Sequence, residues 1–318
     1  MATKLWMAPL HGLTNFEFRN IWLSHFGGID EIITPFISLM EGKSIKRERL
    51  KDFLPENNQI IKPIPQVIGN KPEQFIVMAK SLSEFGYDTF NLNLGCPAGP
   101  VVKHRRGAGM LPNPDMILRM LNEFYSKTNY KLSVKIRIGL KSFEEIMPVI
   151  DVLNQFPLKF VCIHPRFGVQ FYDGNVHLDL FEKCTQLLNH RIIYSGDINS
   201  KLDFENLQTK FPNISDWMIG RKLIINPFLP SQIKGTTEED NNNLKIKFSN
   251  FYYELSQTMR ESKIDDKHTL NKCKELWTYF IQNTKYKPIE YNLMLRSNNW
   301  NEFQNYAKYI IEQMNFKE

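Results

Sequence analysis

Residues 89–99 read TFNLNLGCPAG: polar positions alternate with Phe90, Leu92 and Leu94, and the run then breaks into a Gly-Cys-Pro turn. Period-two alternation marks a β-strand, and the glycine and proline mark where it stops. Such a strand ends by holding one thiol, Cys96, on a turn that Pro97 stiffens. Two questions follow: which fold is made of strands with functional ends, and what the sulfur faces.

Outward from this stretch, short β-type runs recur at residues 4–10, 31–37, 63–69, 132–139, 159–165, 191–196 and 216–220. Amphipathic helical patterns lie between them, as at 72–85 and 114–125, where apolar residues fall on one face. Eight strand-then-helix units predict a parallel (β/α)8 TIM barrel, an α/β fold, over residues 1–238. A doubly wound open sheet is disfavoured, because no GxGxxG follows the first strand. Gly107-Ala108-Gly109 begins like that fingerprint, but Pro112 stands where its last glycine belongs. After the polar run GTTEEDNNN (235–243) the pattern becomes helical throughout. Residues 239–318 therefore read as a small all-helical C-terminal domain, with 12 Lys+Arg against 10 Asp+Glu from position 240 onward.

The chain has 318 residues, 42% hydrophobic and 23% charged, an ordinary balance for a globular protein with a sizeable core. A net charge of +6 allows a polyanionic partner without requiring one. Cys96, Cys162, Cys184 and Cys273 are far apart and form no CxxC pair, so they read as free thiols and not as a metal or disulfide framework. The start, MATKLWMAPLHG, lacks an export signal. No run approaches the roughly 20 apolar residues of a membrane span. A cytoplasmic protein without a membrane partner is expected, and no motif implies a stable protein partner.

In a parallel barrel the active site lies at the carboxyl ends of the strands. Those ends carry Pro9-Leu10-His11, Gln66, Asn93 to Cys96, Lys135 and Arg137, His164 and Arg166, Ser195-Gly196-Asp197 and Gly220-Arg221. Each has a bland explanation alone; their convergence on one rim does not. Gly196 and Gly220 would let backbone approach a phosphate, and Arg221 would add a charged fork. Gln66 could pair with a ring edge of alternating donors and acceptors. Lys135 would put positive charge where a reduced flavin is negative. The chemistry is that of an FMN pocket.

The motifs MAPLHGLTN, PQVIGN, NLNLGCPAG, SVKIRIG, IHPR, SGDI and MIGR, in this order over residues 5 to about 230, resemble the tRNA-dihydrouridine synthase family. The resemblance implies an FMN oxidoreductase that reduces the C5–C6 double bond of a uridine in tRNA, with NADPH as electron source. By position it implies that Pro9, Leu10, His11, Gln66, Lys135, His164, Ser195, Gly196, Asp197, Gly220 and Arg221 hold FMN, and that Cys96 is the proton donor. The chain departs from the family at Leu10-His11, Ser195, Pro165 and Lys222. A thiol in an apolar setting stays protonated at neutral pH, which suits a general acid. The basic loop Lys103-His104-Arg105-Arg106 follows it. Lys103, Arg105 and Arg106, with Asn93, Arg137 and Arg166, are the expected RNA contacts. Three alternatives stay open: a barrel flavoenzyme acting on a free pyrimidine, dihydroorotate dehydrogenase-like, a synthase acting on ribosomal RNA, and a non-enzymatic RNA-binding barrel.

Overall fold

The computed structural model describes residues 2–38, 47–236, 240–262 and 265–316. Eight strands, all parallel, form one sheet: β1 (Lys4–Met7), β2 (Glu31–Ile32), β3 (Gln66–Val67), β4 (Thr89–Leu94), β5 (Lys131–Arg137), β6 (Val161–His164), β7 (Ile192–Ser195) and β8 (Asp216–Ile219). Their order is β2-β1-β8-β7-β6-β5-β4-β3. The edge strands meet through the bridges Ile33↔Ile64 and Ile37↔Val67, which curl the sheet round to itself. The fold is the expected TIM barrel.

The barrel helices are α1 (Phe16–His25), α2 (Pro72–Ser83), α3 (Gly99–Lys103), α4 (Pro114–Lys127), α5 (Met147–Leu153), α6 (Leu178–Leu187), α7 (Lys201–Lys210), α8 (Arg221–Ile225) and α9 (Leu229–Lys234). Their starts follow local chemistry. Asn15 and Ser200 accept from the Phe18 and Asp203 amides to cap α1 and α7. Pro72 and Pro114 open α2 and α4, where a missing N–H costs nothing. The second unit departs from the expected strand-helix pattern. Among the described residues between β2 and β3, the chain makes 3-10 turns at Arg47–Phe53 and Pro55–Asn57 and no α-helix.

Strand alternation divides the interior. Trp6, Ala8, Phe160, Cys162, Ile193 and Met218 turn inward as an apolar plug with Ile33 and Ile64. On the other side the inward positions are polar: Gln66, Asn91 and Ser133 are fully buried, and Asn93 nearly so.

The C-terminal part carries four α-helices among its described residues: α10 (Asn241–Glu261), α11 (Asp266–Phe280), α12 (Ile289–Arg296) and α13 (Trp300–Glu312). The expected boundary, between residues 238 and 239, lies outside the described residues. The two parts share one apolar core. Phe26 packs edge-on against Phe228 at 5.0 Å and Phe251 at 4.9 Å, and Phe316 joins Phe228 to Phe248 at 5.1 Å each. Polar contacts tie the helices to the barrel's carboxyl rim: Lys272 Nζ donates to Gly12 O at 3.2 Å, and Asn283 Nδ2 to Ile225 O.

Candidate active site

An open cleft at the carboxyl ends of the strands has two compartments. The first, about 560 Å³, is lined by Pro9, Leu10, Lys135, His164, Arg166, Tyr172, Ser195, Gly196, Asp197, Gly220, Arg221 and Lys222, among others. The second, about 500 Å³, is lined by Pro9, His11, Phe36, Asn93, Gly95, Cys96, Pro97, Lys135, Arg137, His164 and Tyr172. Pro9, Lys135, His164 and Tyr172 belong to both, so the compartments lie side by side.

Cations dominate the first compartment. Among the described residues, the Lys135 ammonium makes no hydrogen bond or ion pair, and burial lowers its pKa. Arg221 lies over the Tyr172 ring at 4.2 Å and reaches Asp197 at 3.9 Å. Gly196 and Gly220 present bare backbone. A Cβ on Gly196 would come within 3.0 Å of Val176 Cγ1, whereas one on Gly220 would meet only Ala8, at 3.7 Å, and would otherwise fill the cleft. His164 is held neutral: burial pushes its pKa well below the ordinary value, and Arg137, Lys135, Arg166 and Arg221 push the same way. Its Nε2 can then accept from Arg166 Nη1 at 3.2 Å.

The second compartment is built around the thiol. Asn93 Oδ1 accepts from the Gly95 and Cys96 amides at 3.1 and 2.9 Å, which closes the turn. Gly107 backs it with φ +54°, and a Cβ there would lie 2.7 Å from Cys96 O. Only glycine meets both demands without strain. Cys96 is half-buried, and burial raises its pKa against the weaker opposing pull of the Ala98 backbone contact, Arg137 and Lys135. The thiol is protonated at neutral pH. His11 stacks on Phe36 at 4.5 Å at the edge of this compartment.

Three of the expected residues are buried and held by partners within the protein. Gln66, expected at the cofactor ring, lines neither compartment: it is fully buried, donates to Asn91 Oδ1 at 2.7 Å and accepts from Asn93 Nδ2 at 2.8 Å. Arg137, expected to touch RNA, lines the cleft but is almost wholly buried, and carbonyls hold its guanidinium: Gly95 at 3.0 Å, Phe167 at 2.8 Å and Phe171 at 2.6 Å. Arg166, also expected at the RNA, is buried and forks onto Asp197, with a second anchor on Gly174 O at 2.7 Å. Both arginines brace the loop 167–177. That loop presents Tyr172, a cleft residue absent from the expected set; its signal was an aromatic just beyond the His164-Pro165-Arg166 strand end. Lys103, Arg105 and Arg106 lie outside both compartments, with Lys103 and Arg105 exposed. No group of His, Cys, Asp and Glu among the described residues could hold a metal ion.

The carboxyl rim of the barrel thus sets a cation-lined compartment beside a lone protonated thiol. Over residues 6–313 the sequence matches the dihydrouridine synthase family, and the chain belongs to that family of oxidoreductases. It is 26% identical over 243 residues to a tRNA-dihydrouridine(16) synthase of Neisseria meningitidis, covering 73% of this chain and 71% of that one. It is 24% identical over 243 residues to tRNA-dihydrouridine synthase B of Pasteurella multocida, covering 76% of this chain and 71% of the other. Among solved structures, morphinone reductase shares the fold with a TM-score of 0.54 at 11% identity, covering 75% of this chain and 87% of that one. No helix among the described residues is long and apolar enough to cross a membrane.

Proposed function

We propose that this chain reduces the C5–C6 double bond of a uridine in tRNA to dihydrouridine, with FMN as resident cofactor and NADPH as electron source. The observation that carries it is the pairing, in one cleft, of an unpartnered lysine ammonium with a protonated thiol on a rigid turn.

The first compartment suits FMN in its donor set. Pro9, Leu10, Lys135, His164, Ser195, Gly196, Asp197, Gly220 and Arg221 would hold it, with bare backbone and Arg221 for a phosphate and Lys135 for the electron-rich ring edge. Bound there, FMN would supply the hydride chemistry that reduction at C6 of the base requires. Cys96 Sγ–H gives its proton to C5, which becomes basic as charge builds on C5 and O4. Asn93 keeps the thiol aimed by fixing the turn. His164 stays neutral, so the compartment gains no further cation. The exposed Lys103 and Arg105, with Arg106, would grip phosphates beside the mouth and orient the RNA without reading its sequence. The target base must leave its stack, which favours a loop uridine. The helical C-terminal part, tied to the barrel at Gly12 and Ile225, would support the same RNA.

The test is purified full-length protein with NADPH and, in parallel, unmodified tRNA, ribosomal RNA transcript or orotate. Release of FMN on denaturation and dihydrouridine in tRNA alone support the proposal. Turnover of orotate, or modification of ribosomal RNA in place of tRNA, would replace the substrate assignment. Protein without bound or bindable flavin would overturn it.

A further inference from the structure

The polar side of the barrel interior forms a chain of hydrogen bonds that the proposed chemistry does not use directly. Ser133 Oγ donates to Phe90 O at 3.0 Å and accepts from Asn91 Nδ2 at 2.9 Å. Asn91 Oδ1 accepts from Gln66 Nε2 at 2.7 Å, and Gln66 Oε1 accepts from Asn93 Nδ2 at 2.8 Å. Asn93 Oδ1 then receives the Gly95 and Cys96 amides. The chain runs without a break from β4's own backbone to the thiol turn.

We infer that Ser133, Asn91 and Gln66 are positioning residues that set the orientation of Asn93, and through it the aim of Cys96. This rests on the assignment of Cys96 as proton donor. A carboxamide can sit in two senses related by a flip, and only its partners decide between them. Here both ends are fixed by chemistry. The Phe90 carbonyl can only accept, so Ser133 donates to it and is left to accept from Asn91. That choice passes to Gln66 and then to Asn93, leaving the Asn93 oxygen as acceptor. The Gly95 and Cys96 amides can only donate, so the far end demands the same sense. All members are buried, where an unmade hydrogen bond is costly and a satisfied network rigidifies what it holds. The apolar plug shows that filling the barrel needs no polar residues. Four of them in sequence, ending on the thiol turn, do what packing cannot: they specify a direction.

Ser133 is the member to change, because it lines neither compartment. The variants are Ser133→Ala, which removes the hydroxyl, and Ser133→Thr, which keeps it; Ser133→Cys, a much weaker donor, replaces the alanine should that variant not fold. Two readouts are taken on flavin-loaded protein. One is the pH dependence of iodoacetamide reaction at Cys96, with the modified cysteine located by peptide mass. The other is reoxidation of the reduced protein by unmodified tRNA. Displacing a reacting group by about 1 Å can cost on the order of 10²-fold, so loss of one distant link is expected to slow reoxidation about tenfold. The alkylation profile should move to lower pH as the thiol loosens towards solvent. Flavin content should not change, and Ser133→Thr should restore both readouts. A wild-type alkylation profile and reoxidation rate in Ser133→Ala would overturn the inference. So would Ser133→Thr behaving like Ser133→Ala, since packing and not the hydroxyl would then be at work. If Cys96→Ala still reduces uridine, the proton-donor assignment fails instead, while the alkylation profile still judges the relay.

Discussion

The two compartments of the cleft solve opposite problems. The first carries charge and little shape: Lys135, Arg221 and Lys222 face it, and Gly220 leaves it open. The second carries shape and one reactive atom, with the thiol set by Asn93 below and Gly107 behind. A site that must hold a large anionic group can tolerate flexible cations, because attraction acts over several ångströms. A proton donor must lie within hydrogen-bond reach of its target, so its backbone is fixed first. The difference teaches where substitutions should act: charge changes on cofactor retention, backbone or thiol changes on substrate chemistry alone.

The strongest way to break this division is Cys96→Ala. Uridine reduction should fall roughly 10²–10⁴-fold, the usual worth of a positioned general acid, with FMN content unchanged; tritium-free dihydrouridine assays on tRNA and flavin absorbance measure the two. Next comes the exposed loop. Replacing Lys103, Arg105 and Arg106 with alanine should flatten the salt dependence of tRNA binding by about two to three units of log–log slope, read from binding titrations at several salt concentrations. An unchanged slope would make the loop a solvated connection.

Lys135→Met sharpens the other side: the first compartment loses its unpartnered cation, and FMN should wash out several-fold more readily on dialysis. The smallest effect concerns His164, whose pKa is depressed on folding. The unfolded chain binds a proton near pH 6.5 that the folded chain refuses, so this part of the stability is present above that pH and lost as pH falls below it. The slope is at most about 1.4 kcal/mol per pH unit. Urea unfolding of His164→Asn at pH 7 and pH 5.5 should show a weaker acid loss than wild type.

Much of this was legible in the sequence. Alternation gave the eight strands, and turn residues marked the rim. It overstated β2 and β3, whose ladders span two residues each, because Pro35, Pro63 and Pro65 remove backbone donors. Period two also gives the face of a strand residue but not its height. Gln66 is fully buried within the amide chain, bonded to Asn91 and Asn93. Nothing local in the sequence shows that the Phe167, Phe171 and Gly174 carbonyls return to hold Arg137 and Arg166. The polar run after residue 234 marks where the helical part begins, but not that Phe26, Phe228, Phe251 and Phe316 join it to the barrel in one core.

The most direct test sets Cys96→Ala and Lys135→Met side by side in stopped-flow, following flavin reduction by NADPH and reoxidation by unmodified tRNA separately. Cys96→Ala should be reduced at the wild-type rate and reoxidised slowly, while Lys135→Met should be impaired already in reduction. Equal slowing of both half-reactions in both variants would contradict the division of the cleft, and would return Cys96 to the role of a structural thiol.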